Sequence, residues 1–267
     1  MRPSRMFAVG VTALTMGLAA TISAIPAQAA STVHYVALGD SYSAGTGAGS
    51  NSGSCERSPN AYAALWAAAN SPASFTFVAC NGATTSDVIN SQLSSLSSST
   101  TLVSVTAGGN DAGFSSVLET CVLGSTSTCE SAVAAAEQYV NTTLPGNLNT
   151  MLTDIRAHAP NAKIIVLDYP VFYDLSVWFC LGLSSTDHQV IDNGINDMDG
   201  VIQTAAVSNG DTFADVRAQF SGHELCDDAG WLNSVTIPIG NSYHPTATGQ
   251  KDGYFPVLSA AAASVGQ

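Results

Sequence analysis

Four short peptides in this 267-residue chain bring together the residue types of hydrolytic acyl transfer. They are Gly39-Asp40-Ser41-Tyr42-Ser43-Ala44-Gly45, Cys80-Asn81-Gly82-Ala83-Thr84, Ala107-Gly108-Gly109-Asn110-Asp111 and Ser242-Tyr243-His244-Pro245. A serine hydroxyl becomes a usable nucleophile once a base takes its proton, and histidine has the ordinary pKa for that task. The oxyanion that follows needs preorganised donors. Glycine lets a backbone N–H approach closely, and asparagine offers two side-chain N–H groups. On this chemistry Ser41 is the nucleophile and His244 the base. The Ser41 N–H, the Gly82 N–H and the Asn110 side-chain amide form the oxyanion hole, with Asp40 supporting the Ser41 loop. Taken singly, Ser41 or Asp40 reads equally well as a helix cap, and Gly82 and Asn110 as turn residues. Ser43 is a rival nucleophile two residues on.

The other histidines offer less. His34 lies in a strand, His158 ends a helix before Pro160, His188 sits in an acidic helix and His223 precedes Glu224. The string His223-Glu224-Leu225-Cys226-Asp227 lacks the second histidine of a zinc-protease motif, so no metal is assigned, and this chemistry calls for no cofactor. Asp187, Asp192, Asp197 and Asp199 read as the solvated face of that helix.

Short β-branched and aromatic runs must position these peptides: 33–38, 75–79, 102–105, 163–167 and 212–216 read as strands. Helical segments fall between them at 61–70, 86–96, 129–158 (two helices broken near Pro145-Gly146), 187–209 and 246–265. Such alternation predicts a three-layer α/β/α sandwich with a central, mostly parallel sheet of about five strands. In an open sheet of this kind ligands bind beyond the carboxyl ends of the strands, where the first three peptides fall. Phe114, Val117 and Leu118, after the third peptide, read either as acyl-pocket lining or as helix core.

Hydrophobic residues at 46% and charged residues at 10% exclude a disordered chain. Twenty acids against seven Lys plus Arg give a net charge of −13, and without a basic cluster nucleic acid is not expected as a partner. Arg2 and Arg5, an apolar run over 6–20 and Ala27-Gln28-Ala29 read as a secretory leader over residues 1–29, with a catalytic domain over 30–267. The chain without its leader is expected to be a secreted, extracellular monomer without stable membrane anchoring. Cys55, Cys80, Cys121, Cys129, Cys180 and Cys226 suit an exported, disulfide-bonded chain, and joining neighbours in sequence is the simplest pattern among the many possible.

Read in order, the four peptides resemble the blocks of the SGNH or GDSL hydrolases, and more closely those of their secreted streptomycete-type lipases and esterases. Gly39 to Gly45 corresponds to the first block, Gly82 to the second, Gly109-Asn110-Asp111 to the third and His244 to the last. The resemblance covers essentially the whole chain after the leader and favours Ser41 over Ser43. It implies a flavodoxin-like SGNH fold and an ester hydrolase, a lipase or esterase acting on acylglycerols or other fatty acyl esters. Phospholipase A1, carbohydrate acetyl esterase and a non-catalytic binding domain are the alternatives. Three sequential disulfides are also implied: 55–80, 121–129 and 180–226. Many relatives carry aspartate three residues before the histidine, where this chain has Asn241. Some relatives use a main-chain carbonyl there, which implies that the Asn241 carbonyl orients His244, with Asp227 or Asp228 as substitutes.

Overall fold

The computed structural model describes Met6 and residues 31–267 apart from Trp178, Phe179 and Leu181. The leader expected over 1–29 therefore lies, save for Met6, outside the described residues. Five of the apolar runs form strands: β1 (His34–Gly39), β2 (Ser74–Phe77), β3 (Leu102–Thr106), β4 (Lys163–Leu167) and β5 (Thr212–Ala214). They pair in the order β2-β1-β3-β4-β5, every neighbour parallel. All of β3, and all of β1 after His34, is buried, because helices cover both faces and leave no polar side to the central strands. The edge strand β2 instead alternates between exposed and half-buried residues.

The helices are α1 (Ser41–Ala44), α2 (Tyr62–Asn70), α3 (Thr85–Asp87), α4 (Phe114–Leu123), α5 (Thr126–Thr142), α6 (Leu144–His158), α7 (Ser185–Ser208), α8 (Arg217–Phe220) and α9 (Phe255–Ser264). α2 packs with α9 in one layer, while α4 to α7 pack among themselves in the other. The break expected near Pro145 comes at Thr143, with Pro145 in the first turn of α6, where a missing N–H costs nothing. The helix expected over 86–96 is a short α-turn followed by wider and tighter turns over Val88–Ser95. Within it, the buried Gln92 amide grips the backbone of Gly39, accepting from its N–H at 2.8 Å and donating to its carbonyl at 2.8 Å. Residue 92 is thereby tied to the end of β1.

Helix α7 departs from the solvated face read in the sequence, for Asp187, Asp192 and Asp199 are buried and Asp197 is exposed. Asp199 accepts from the Tyr169 N–H at 3.2 Å, and Asp192 from the Phe172 N–H at 2.9 Å and the Tyr173 N–H at 3.3 Å. The segment leaving β4 has no strand partner for these amides, so carboxylates from α7 supply the acceptors.

Disulfides join Cys55 to Cys80, Cys121 to Cys129 and Cys180 to Cys226. The first ties the region after α1 to the second block, and the second joins α4 to α5. Among the described residues no helix is long and apolar enough to cross a membrane.

Candidate active site

The order β2-β1-β3 places a topological switch point between β1 and β3, where chains leaving the two strands diverge and open a crevice. Gly39 pairs with Thr106, so the first and third blocks leave the sheet side by side. Gly39 has φ +121°, and a side chain there would run into the Thr106 backbone and Ser43 Oγ. Asp40 then caps α1, its carboxylate accepting from the Tyr42 N–H at 2.9 Å. Ser41 occupies the first position of this single turn, which Gly45 closes in the left-handed conformation. Ser43, the rival, is buried, with Oγ 2.7 Å from the Tyr62 hydroxyl and accepting the Thr106 N–H at 3.1 Å.

His244 arrives from a loop 203 residues away in sequence, and its Nε2 lies 2.7 Å from Ser41 Oγ. Its Nδ1 lies 3.1 Å from the carbonyl of Ser242. A carbonyl only accepts, so Nδ1 carries the proton and Nε2 is left to accept from the Ser41 hydroxyl. The orienting carbonyl is therefore that of Ser242 and not, as the sequence suggested, that of Asn241. The Asn241 carbonyl is engaged by the backbone N–H of His244 at 3.3 Å. That bond closes a turn, which folds the imidazole back onto the intervening residue. Asp227 and Asp228 do not replace it: Asp227 lies by Glu224 and Asp174, and Asp228 is exposed. Among the described residues no carboxylate pairs with the imidazole. Burial pushes the His244 pKa down to about 4, against an upward pull from the Ser242 and Gly240 carbonyls.

Asn233 is the main support of the histidine loop. Its backbone N–H and its side-chain amide both donate to the His244 carbonyl at 2.9 Å, and the amide also reaches the Gly47 carbonyl at 3.2 Å. Tyr42 adds a second tie, its ring 5.1 Å from the imidazole and its hydroxyl donating to the Tyr243 carbonyl at 2.8 Å. The Ser41 loop and the His244 loop are thus fastened together on both sides of the Ser41–His244 hydrogen bond.

Among the described residues neither the Ser41 N–H nor the Gly82 N–H has a protein acceptor. Gly82 has φ +79°, with open space where a side chain would stand. The Asn110 amide donates to the Ala83 carbonyl at 3.0 Å, which leaves its second N–H unused and holds the third block against the second. Asp111 strengthens that contact by accepting from the Thr85 backbone N–H at 2.9 Å and from the Thr85 hydroxyl. Tyr169 links the third block to the first: its hydroxyl accepts from the Gly109 N–H at 3.1 Å and donates to the buried Asp40 carboxylate. Burial pushes the Asp40 pKa up to about 7, although Tyr169 and backbone N–H groups pull it down. Sequence reasoning missed Tyr169 and Asn233 altogether, and it gave Ser242 no role beyond membership of the fourth peptide. Tyr42 and Asp111 stand in the first and third peptides it quoted, likewise without an assigned role.

An apolar groove of about 310 Å³ opens beside His244 between α4 and the loop over 235–243. Phe114 and Leu118 line it, together with Val122, Leu123, Val235 and Ile239. Phe114 and Leu118 also line a second cavity of about 40 Å³ between α4, α5 and α7, where Val117 joins them, so of these three residues only Val117 has no place on the groove.

The profile of the GDSL-like Lipase/Acylhydrolase family matches residues 37–251, a span that holds all four blocks. The chain belongs to this family. As a GDSL-like lipase/acylhydrolase it is a carboxylic ester hydrolase. Lipase 1 of Streptomyces coelicolor is 50% identical over 256 residues, covering 94% of this chain and 95% of the relative. The crystal structure of an extracellular lipase from Streptomyces rimosus is 48% identical, with a TM-score of 0.84, over 86% of this chain and 99% of that one. That of phospholipase A1 from Streptomyces albidoflavus NA297 is 51% identical, with a TM-score of 0.83, over 85% and 98%.

Proposed function

We propose that this GDSL-like lipase cleaves fatty acyl esters through an acyl-serine intermediate, with Ser41 as nucleophile and His244 as base. One observation carries the assignment: Ser41 Oγ stands 2.7 Å from a His244 Nε2 whose tautomer a backbone carbonyl sets, at the mouth of an apolar groove. Ser41 Oγ attacks the acyl carbonyl carbon while its proton passes to Nε2. The tetrahedral oxyanion is met by the Ser41 and Gly82 N–H groups and by the free N–H of Asn110. Collapse expels the alcohol, which takes the proton from the imidazolium. Water, deprotonated by His244, then attacks the acyl-serine and releases the fatty acid. No step draws on a metal or cofactor.

The groove lies at the low end of small-ligand pockets and has room for one acyl chain, so the rest of an acylglycerol stays at the mouth. The leader over residues 1–29 and three disulfides support export, with the mature chain over 30–267 acting outside the cell as a monomer. Phospholipase A1 activity is the second reading, favoured by the 51% identical enzyme of that name.

Fluorophosphonate labelling of wild type and Ser41→Ala, beside a substrate panel from short-chain esters through triacylglycerols to phospholipids, tests this. Label and turnover are expected to vanish together in Ser41→Ala. Label retained in that variant would overturn the assignment.

A further inference from the structure

The surroundings of the groove mouth bear on how an acyl chain reaches it. On one side α4 ends at Leu123, which is 78% exposed. On the other, the loop approaching His244 carries Val235, Ile237 and Ile239 at 51%, 95% and 70% exposure. Leu123, Val235 and Ile239 also line the groove, so the exposed rim is continuous with it. Isolated exposed aliphatics are ordinary on protein surfaces, whereas several bordering one opening mark an interaction face. The well-exposed Val207 stands apart, near the end of α7, beside the turn that enters β5 and so at the far end of the sheet from the site.

Charge narrows the partner. Among residues 31–267 the Lys and Arg residues number five, and none lines the groove. Arg156 pairs with Asp211, Arg217 with Asp168, Asp199 and Asp215, and Lys251 with Asp252. Arg57 bonds the Ala79 carbonyl, and Lys163 begins β4, at the end of the sheet opposite the site. The charged residue on the groove wall is Glu119. An aliphatic rim, a groove wall whose one acidic or basic side chain besides His244 is Glu119, and a chain of net charge −13 suit an apolar surface without negative charge and oppose approach to an anionic one.

We propose that Leu123, Val235, Ile237 and Ile239 form a docking rim that seats the groove mouth on the surface of lipid carrying no net charge. The proposal rests on the acyl-ester reading of the same site and adds the surface from which the ester is drawn. Docking inserts the rim side chains among the acyl chains and aligns the groove with one of them, which enters without crossing water.

The test separates binding from turnover. Ser41→Ala protein, which leaves lipid intact, is sedimented with phosphatidylcholine vesicles and with vesicles in which phosphatidylglycerol replaces part of the phosphatidylcholine. Burying one aliphatic side chain of this size is worth roughly tenfold in partition. Adding Ile237→Ser should therefore lower binding to phosphatidylcholine about tenfold, and Leu123→Ser, Ile237→Ser and Ile239→Ser together about 10³-fold. Val207→Ser should change nothing, and phosphatidylglycerol should weaken binding. Ser-substituted rims that bind like the parent, or binding tightened by phosphatidylglycerol, would overturn the proposal. In the active protein, Ile237→Ser should keep the parent rate on a soluble short-chain ester and lose turnover on lipid particles. Equal loss on both substrates would also overturn it. An active parent that hydrolyses no ester overturns the catalytic reading alone, because the sedimentation result judges the rim by itself.

Discussion

Gly47 offers a way to displace His244 without altering either member of the proposed Ser41–His244 catalytic pair. Its φ is +81°, and a β-carbon there would stand 2.8 Å from Asn233 Nδ2, 3.0 Å from His244 Cβ and 3.3 Å from the Asn241 carbonyl. Gly49 has φ +79° and open space in the same direction. Gly47→Ala and Gly49→Ala therefore share the strain of a left-handed alanine, about 1–2 kcal/mol, which lowers Tm by about 2–8 °C in a domain of this size. Only Gly47→Ala also crowds the histidine loop. Restoring carbon contacts to about 3.5 Å or more requires a shift of about half an ångström. The 2.7 Å Ser41–His244 hydrogen bond then stretches towards the limit of about 3.2 Å for proton transfer. An error of about 1 Å costs about 10²-fold, so kcat should fall about tenfold to a hundredfold, or about 1.4–2.7 kcal/mol in barrier. KM should stay near wild type, because Gly47 does not line the groove. Initial rates on a soluble short-chain ester and melting curves for the three proteins make the comparison. Equal kcat in the two alanine variants, with equal loss of Tm, would refute the claim that Gly47 spaces the histidine.

Ser41→Ala should lose about 10³-fold or more in rate while keeping its melting temperature within a few degrees, as steady-state kinetics and calorimetry would record. Because His244 must be neutral to act and its pKa lies near 4, kcat/KM should hold from alkaline pH down to about 5 and fall below it; an acid limb centred above pH 6 contradicts the burial argument. Since the orienting acceptor is the Ser242 backbone, Asn241→Ala, Asp227→Ala and Asp228→Ala should each cost less than about tenfold, and a 10³-fold loss in any folded variant would assign the orientation to that side chain. Burial raises the pKa values of Asp40 and Asp192 to about 7 and of Asp168 to about 8, so between the unfolded value near 4 and these values the folded chain holds more protons. Its stability should then fall as pH rises through that window, with His244 opposing below about 6.5. Tm at pH 5.5 should accordingly exceed Tm at pH 8.5, and the reverse order would contradict the assigned protonation.

Several site features were legible because their causes are local. Asp40 is an N-cap and Gly82 takes the positive φ of a turn glycine, each a property of a few consecutive residues. Ser242 was not, because the choice between carbonyls two and three residues before His244 depends on how the turn closes. That turn is held by Asn233 and Tyr42, both distant in sequence. The acidic residues of α7 misled for a related reason. Their spacing shows which of them share a helix face, while the unpaired amides at Tyr169, Phe172 and Tyr173 that draw Asp199 and Asp192 inward become visible only once α7 lies against the segment leaving β4.

By itself, then, the sequence determined the alternation of strand and helix, the parallel sheet that alternation demands, and the placement of three blocks at strand ends. Short-range sterics and the burial of apolar runs suffice for these. Only the tertiary structure decided that Phe114 and Leu118 line the groove while Val117 lines only the smaller cavity it shares with them. It alone supplied Tyr169 as the bridge between the first and third blocks, and the Ser242 carbonyl in place of that of Asn241. The direction of a side chain and the partner of a buried polar group depend on elements up to 203 residues apart being packed together, and no local pattern encodes that distance.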